Sequence, residues 1–415
     1  MSLRMPKLSR RFVAACVLDA VGVGLASGSL LPFIGVLSRR MGASPALIAV
    51  LSMAPFFGFL LNSPVSRLAR AWTLSRTMVT LRFLSAAMLA CFAFAGSSLA
   101  VVVLGVLVQV AAGAGAGIGD TLLRIHVRAR GRSQVLSVNR SVLTACSVLG
   151  AGVTGRLLDA DPRAYLWLFP FVAVLLALCA APMALLHVRA AERQQRPRFS
   201  GARLLEEWRV LREDRTFLLF MAVFFWGTLG EKLGMPVTPI YFADVLNIRY
   251  EDVGLAVGVF GPLAGIVGYL VWGRMLAGVR PITIIAVCML VKAVRPILWC
   301  LAGSAPHPLP LLVAGEVGFR FFISGLDMST MLTVLALSRP GRLSTYIGVH
   351  YLLMGVRGLL GPALGYGLYT AGVPIPAIYL VIAAIVLTGG LALFPLRRAF
   401  SARPRPGFSA ANRDE

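Results

Sequence analysis

Twelve apolar stretches, each about 20 residues or longer, set the terms for this chain: they lie at roughly 12–37, 46–65, 77–97, 99–124, 134–158, 164–187, 216–243, 252–276, 282–303, 309–336, 344–371 and 374–395. About 20 apolar residues in helical form cross the roughly 30 Å of hydrocarbon in a bilayer. Within lipid only a helix satisfies its own backbone polar groups segment by segment. Composition agrees, since 58% of residues are apolar and only 14% charged, against about 25% charged in soluble domains. The sequence therefore predicts an all-α integral membrane protein. Its twelve transmembrane helices should form two pseudo-symmetric six-helix bundles, residues 1–187 and 216–396, joined by a linker at 188–215 and followed by a basic tail at 397–415. The linker has the character of a cytoplasmic segment, with an interfacial helix expected from Leu204 to Leu211.

The net charge of +23 and pI near 11.2 would point to nucleic acid in a soluble chain. Here the loops decide otherwise. Of the 40 Lys and Arg, 27 fall on the side holding both termini and the linker, and four (Arg39, Arg40, Arg163, Arg249) on the other. By the positive-inside rule the chain is a multi-pass protein of the inner, cytoplasmic membrane with both termini in the cytoplasm and no nucleic-acid partner. The basic N-terminus reads as the flank of an uncleaved first helix, since the apolar run behind it is long and carries Asp19.

Several function classes drop out. The six cysteines sit in apolar runs without Cys-x-x-Cys spacing, and His126, His187, His307 and His350 are scattered, so no metal site, cofactor or catalytic cluster of a membrane enzyme is expected. No Gly-x-x-x-x-Gly-Lys-Ser/Thr sequence is present, which argues against an ATP-driven pump.

The two halves match at a nearly constant offset. A shift of 207 places Pro32 on Pro239, Arg67 on Arg274, Gln109 on Glu316 and Asp120 on Asp327, and a shift of 210 places Arg82 on Lys292 and Gly155 on Gly365. Duplicated six-helix units of this kind hold substrate near the midplane, where the halves meet.

With this layout, and with 66–70 (Ser-Arg-Leu-Ala-Arg) and 273–277 (Gly-Arg-Met-Leu-Ala) following the second and eighth helices, the chain resembles the major facilitator superfamily of secondary transporters over roughly residues 12–395. The resemblance implies a loop motif Gly-x-x-x-Asp-Arg-x-Gly-Arg whose Asp helps lock the cytoplasmic gate; Arg70 and Ala277 stand at that position here. Residues 109–115 (Gln-Val-Ala-Ala-Gly-Ala-Gly) look like a pattern of proton-coupled exporters with Gln109 in place of Arg, and the Gly-Pro-x-x-Gly run lies in the eleventh helix (Gly361, Pro362, Gly365). The resemblance also implies that helices 1, 4, 7 and 10 line a central cavity. Independently of any family, the glycines at 113–119 read as a close helix contact.

Charges at membrane depth carry the functional question, because each costs on the order of 3 kcal/mol unless partnered or wetted. Five acids (Asp19, Asp120, Glu231, Glu316, Asp327) and nine cations (Arg82, Arg124, Arg140, Arg156, Lys232, Lys292, Arg295, Arg320, Arg357) fall there. Asp19, Gln109, Glu231, Glu316 and Arg320 are the candidates for the substrate and proton pathway. Arg67, Arg82, Asp120, Arg124, Arg274 and Asp327 are candidates for a gate or charge network, with Asp120 and Asp327 near the cytoplasmic face. Glu316 with Arg320, and Glu231 with Lys232, are also placed to neutralise one another. Lys292 and Arg295 need an acid, with Glu316 or Asp327 within reach on the next helix. His350, seven residues from Arg357 on one face, is the candidate proton-responsive group. Prolines at 32 and within 234–239 should bend the outer ends of helices one and seven.

The sequence thus predicts a transporter rather than an enzyme: a permease, for uptake or efflux, that moves a small organic solute, anionic or amphipathic, by alternating access. Protons are the candidate coupling ion, the bilayer is its environment and the monomer its working form. The rival reading is a non-transporting sensor or scaffold built on a transporter fold.

Overall fold

The computed structural model describes residues 7–127, 129–184, 209–339 and 342–401. Twelve helices cross in succession. The first six are α1 (Lys7–Leu30, resumed as Ile34–Arg40), α2 (Pro45–Trp72), α3 (Leu74–Ala90), α4 (Ser98–His126), α5 (Ala129–Ala160) and α6 (Tyr165–Ala184). The second six are α7 (Arg215–Ile240), α8 (Tyr250–Met275), α9 (Pro281–Lys292, resumed as Val294–Ala302), α10 (Pro308–Leu337), α11 (Leu343–Thr370) and α12 (Ile375–Ser401). Eleven have the length and apolarity to cross a bilayer, and α2 is apolar over Pro45–Leu61. No strand occurs among the described residues. The expected helix at 204–211 falls mostly outside the described residues.

The breaks have covalent causes. Pro32 lacks the N–H that would reach the carbonyl of Gly28, and α1 gives way to turn at 31–33 before resuming. Pro296 withholds the same bond from Lys292, and α9 breaks at Ala293. In α7 the outcome differs from the expected bend: the helix runs through Pro236 and Pro239, then widens into a π-helical turn at Tyr241–Val245. A second π-helical stretch, Gly254–Phe260, sits in α8. Such turns open the backbone ladder by one residue and are frequent at functional sites.

Both halves use the same packing scheme. In the first, α1 packs on α5 and α6, and α2 on α4; in the second, α7 packs on α11 and α12, and α8 on α10. Lipid supplies no hydrophobic drive between helices, so small residues that allow close approach hold them together. A Cβ on Gly28 of α1 would stand 2.0 Å from the Ser147 carbonyl of α5, and one on Gly365 of α11 would stand 2.0 Å from the Leu233 carbonyl of α7. Gly113 of α4 meets Pro55 and Gly58 of α2 in the same way, so this glycine of the 113–119 run serves packing. The halves meet along α2 with α11 and α5 with α8.

The face where α1 starts and α12 ends is called here the terminal face, and the other the opposite face. Because no atom can be added at Gly365 without moving backbone, Gly365→Val should lower the thermal unfolding midpoint of the purified protein, with a cost of about 1–3 kcal/mol. Gly367→Val, where nothing lies within 4 Å, should leave the midpoint near wild type; equal midpoints for the two variants would refute this account of α7–α11 packing.

Candidate functional site

Among the described residues, three of the four acids at membrane depth are taken by cations on neighbouring helices. Asp19 of α1 accepts from Arg82 of α3 through both oxygens, at 3.0 and 3.3 Å. Glu231 of α7 pairs with Lys292 of α9, whose side chain is fully enclosed. These two pairs occupy the same place in the two halves, first helix to third, and Arg82 and Lys292 are the residues the 210 offset aligned. Glu231 therefore does not neutralise its neighbour Lys232, because side chains at successive helix positions point apart. Arg82, a candidate for the gate or charge network, is committed to Asp19. The side chains of Arg67, Asp120 and Arg124 lie outside the described residues, and Arg274 is exposed near the terminal-face end of α8.

Glu316 of α10, 1% exposed, holds two guanidiniums at once: Arg320 one turn along at 2.7 Å and Arg295 of α9 at 3.1 Å. The pairing of Arg295 with the next helix is the expected one, whereas Lys292 finds its acid on α7. Phe319 lies among these charges, its ring centroid 3.8 Å from the Arg295 guanidinium and 5.2 Å from the Lys292 ammonium. An aromatic face so placed adds about 0.5–2 kcal/mol of attraction for a desolvated cation. Gln109, which aligns with Glu316, donates to the Gly105 carbonyl of its own helix at 3.4 Å.

Lys232, Arg357 and Asp327 stand differently. Lys232 has no hydrogen bond or ion pair among the described residues and lies 5.2 Å from the Phe56 ring of α2. Arg357 of α11 is 8% exposed, donates to Thr228 of α7 and lies over the Phe224 ring at 5.6 Å; its Nε has no partner. Asp327 is exposed, yet it is within electrostatic range of Lys292, Lys232, Arg357 and Arg320. It sits ten residues, about 15 Å, from the Leu337 end of α10. The His350 ring lies 5.9 Å from Phe224, tilted to it by 46°, and its Nδ1 is buried without a partner.

The opposite face is closed by contacts between the halves that the sequence reading missed. Arg39 pairs with Asp244 at 2.6 Å. Arg40 donates to the Ile248 carbonyl and lies 4.2 Å from the Tyr250 ring centroid. Arg156 meets Glu251 at 3.2 Å. Asp159 of α5 accepts the backbone N–H groups of Tyr250 and Glu251 at 2.9 and 2.7 Å, and forms an ion pair with Arg249 at 3.6 Å. Asp159 thereby caps α8 from the other half, where Arg249 makes no side-chain cap; the free N–H groups and positive dipole end of a helix favour a carboxylate there. The available signal was the presence of acids at the same span ends as Arg39, Arg40 and Arg249, which served only to set orientation. Among the described residues the ion pairs and hydrogen bonds that join the halves all lie at this face.

Asp159→Asn should loosen this closure, since an amide nitrogen cannot accept from a backbone N–H. Hydrogen bonds to a charged group contribute about 1.5–3 kcal/mol each, so the open population at this face should rise at least tenfold. Spin labels at Arg163 and Ala371 should report a longer, broader distance distribution in the variant, and an unchanged distribution would show that the cap does not hold the face shut.

The profile of the Major Facilitator Superfamily matches residues 20–291. No curated protein matches the chain in sequence. In three dimensions the chain is similar to the nucleoside transporter NupG, with a TM-score of 0.74 at 15% identity over 95% of this chain and 100% of that one. It is similar also to a POT family transporter in complex with a thioalcohol-conjugated peptide, with a TM-score of 0.74 at 11% identity over 94% and 97%. A bacterial homolog of the human lysosomal transporter Spinster, in an inward-facing and unoccupied conformation, gives 0.67 at 14% identity over 97% and 100%. At these identities the likeness is one of fold.

Proposed function

Because the chain belongs to the major facilitator superfamily and is a membrane transporter rather than an enzyme, we propose that it moves a small organic solute, anionic or amphipathic, across the cytoplasmic membrane by alternating access. The observation that carries the solute class is charge: the core of the second half holds Lys232, Lys292, Arg295, Arg320 and Arg357 against Glu231, Glu316 and Asp327, a formal excess of two positive charges. At on the order of 3 kcal/mol or more for each uncompensated charge, a negatively charged occupant is the cheapest remedy. With the terminal face taken as cytoplasmic on the 27 to 4 bias, closure at the opposite face supports an inward-open resting state.

In this reading Arg320, 40% exposed at its side chain, contacts the anionic part of the solute, and Gln109 lines the first half of the path. Asp19, Glu231 and Glu316 handle protons or a cationic group, each already placed beside a cation whose hold on it changes when it is protonated. His350 is a further proton-responsive candidate, and the protein works as a monomer with protons as coupling ion.

Proteoliposome flux over a panel of metabolites and drugs, with and without a pH gradient, tests this. Wild type should move at least one organic anion faster with the gradient, and Glu231→Gln and Glu316→Gln should each slow it at least tenfold. Wild-type rates in both variants would refute the site assignment, and no flux of any solute by wild type would refute transport itself.

The Glu231–Lys292 pair also permits a cleaner division of roles. Glu231→Gln strands a buried ammonium and should cost about 3–5 kcal/mol of stability, whereas Glu231→Gln with Lys292→Met should recover most of it. If the carboxyl carries protons, the double variant stays stable but loses the gradient dependence; restored gradient-driven flux would reduce the pair to a structural one.

A further inference from the structure

Of the five cations in the second half's core, three have acids in contact and two do not. Glu231 holds Lys292, and Glu316 holds Arg295 and Arg320. Lys232 and Arg357 have no acid within ion-pair distance among the described residues. They are neighbours by construction: the Lys232 Cβ packs where Gly361 of α11 lacks one, and Arg357 lies one turn before Gly361 on that helix. Thr228, one turn before Lys232 on α7, receives the Arg357 Nη1 while its own hydroxyl donates to the Phe224 carbonyl. Thr228 therefore neutralises nothing; it fixes the guanidinium. With Nη1 committed, the edge bearing Nε and Nη2 is the one left over, and Nε is buried with no partner. That edge is the fork that matches two oxygens of a carboxylate or phosphate.

Asp327 of α10 is exposed and lies within electrostatic range of both cations, with no ion pair to either among the described residues. Such a carboxylate is a resident counter-charge, and a bound anion would compete with it.

Resting on the transport reading above, we propose that Lys232 and Arg357, positioned by Thr228 between α7 and α11, form, in addition to Arg320, a subsite for the carboxylate or phosphate group of an organic anion, with Asp327 as its internal competitor. The sign of each substitution follows. Removing a cation weakens the anion, and removing Asp327's charge strengthens it; a residue that merely supports the fold cannot produce gains and losses of opposite sign.

Thermal-shift titration of the purified full-length protein with benzoate, phenyl phosphate and neutral benzamide tests the subsite. Benzoate and phenyl phosphate should stabilise wild type, and benzamide should not. Lys232→Met and Arg357→Gln should each weaken both anions at least tenfold, Asp327→Asn should tighten them severalfold, and Arg163→Gln on an opposite-face loop should match wild type. If Arg357→Gln does not fold, Lys232→Met and Asp327→Asn decide. Equal binding of benzamide, or unchanged anion affinity in Lys232→Met, overturns the subsite. The two readings fail separately: undiminished flux of an organic anion through Lys232→Met sinks the subsite and spares transport, while charge-dependent binding without any flux does the reverse.

Discussion

A charge in hydrocarbon must be answered by another charge, by water or by a route to the surface, and the helix arrangement of this protein follows from how that requirement is met. Each half joins its first helix to its third by one buried pair, Asp19 with Arg82 and Glu231 with Lys292. Removing either partner of a buried pair leaves an uncompensated charge, which costs far more than the intact pair contributes. The pairs therefore specify which helices lie side by side more than they add stability. Glycines then set how closely the helices approach, as at Gly28 on α5 and Gly365 on α7.

The duplication is kept in the scaffold and broken in the centre. Gln109 stands where the second half has Glu316, and among the described residues it bonds only to its own helix. Glu316 instead gathers two guanidiniums, and Phe319 gathers Arg295 and Lys292 over its ring. A packing role would be served equally well by symmetric residues. Five cations against three acids leave the core of one half with a positive excess, and Lys232 carries part of it across the interface to Phe56 of α2. The closure at the opposite face is of another kind. Arg39–Asp244 and Arg156–Glu251 are partly exposed, and such pairs contribute about 0–1 kcal/mol each. The Asp159 cap and the Arg40–Ile248 contact are more sheltered. A set of weak contacts around a few stronger ones can close a face and still release it.

Much of this was legible in the sequence, and the reason differs by feature. The twelve spans were readable because apolar length is a property of a contiguous segment, and the described helices begin and end within about five residues of the expected bounds, except that α2, α3 and α12 end six or seven residues away. The break at Pro32 followed from a missing N–H at a known position. The partner of a charge was not readable, since it depends on which helix lies alongside and at what rotation. Adjacent Glu231 and Lys232 looked like a pair, yet a helix sends them in different directions. Asp159 was passed over because its partners are backbone N–H groups of α8, which carry no sequence signature. The offset that matched Arg82 with Lys292 held a further clue, since equivalent cations on the third helices call for equivalent acids on α1 and α7.

Helix α7 ties these parts together. Its middle carries Thr228, Glu231 and Lys232, and past Ile240 it passes through the π-helical turn to Asp244 at the lock. Between the two lie Pro236 and Pro239, which withhold backbone bonds from Lys232 and Met235 and leave that segment easier to bend than regular helix. Gly35 of α1 packs directly on Pro239, so a bend there displaces the half carrying Arg39 and Arg40. A ligand shifts such an equilibrium only by as much as it prefers one state to the other. An anion held by Lys232 and Arg357 draws α7 and α11 together around one site, while the lock loads α7 at its far end. The two demands act on a single helix whose softest segment lies between them, and that placement is what allows a charge balance in the core to be felt as opening or closing at the surface.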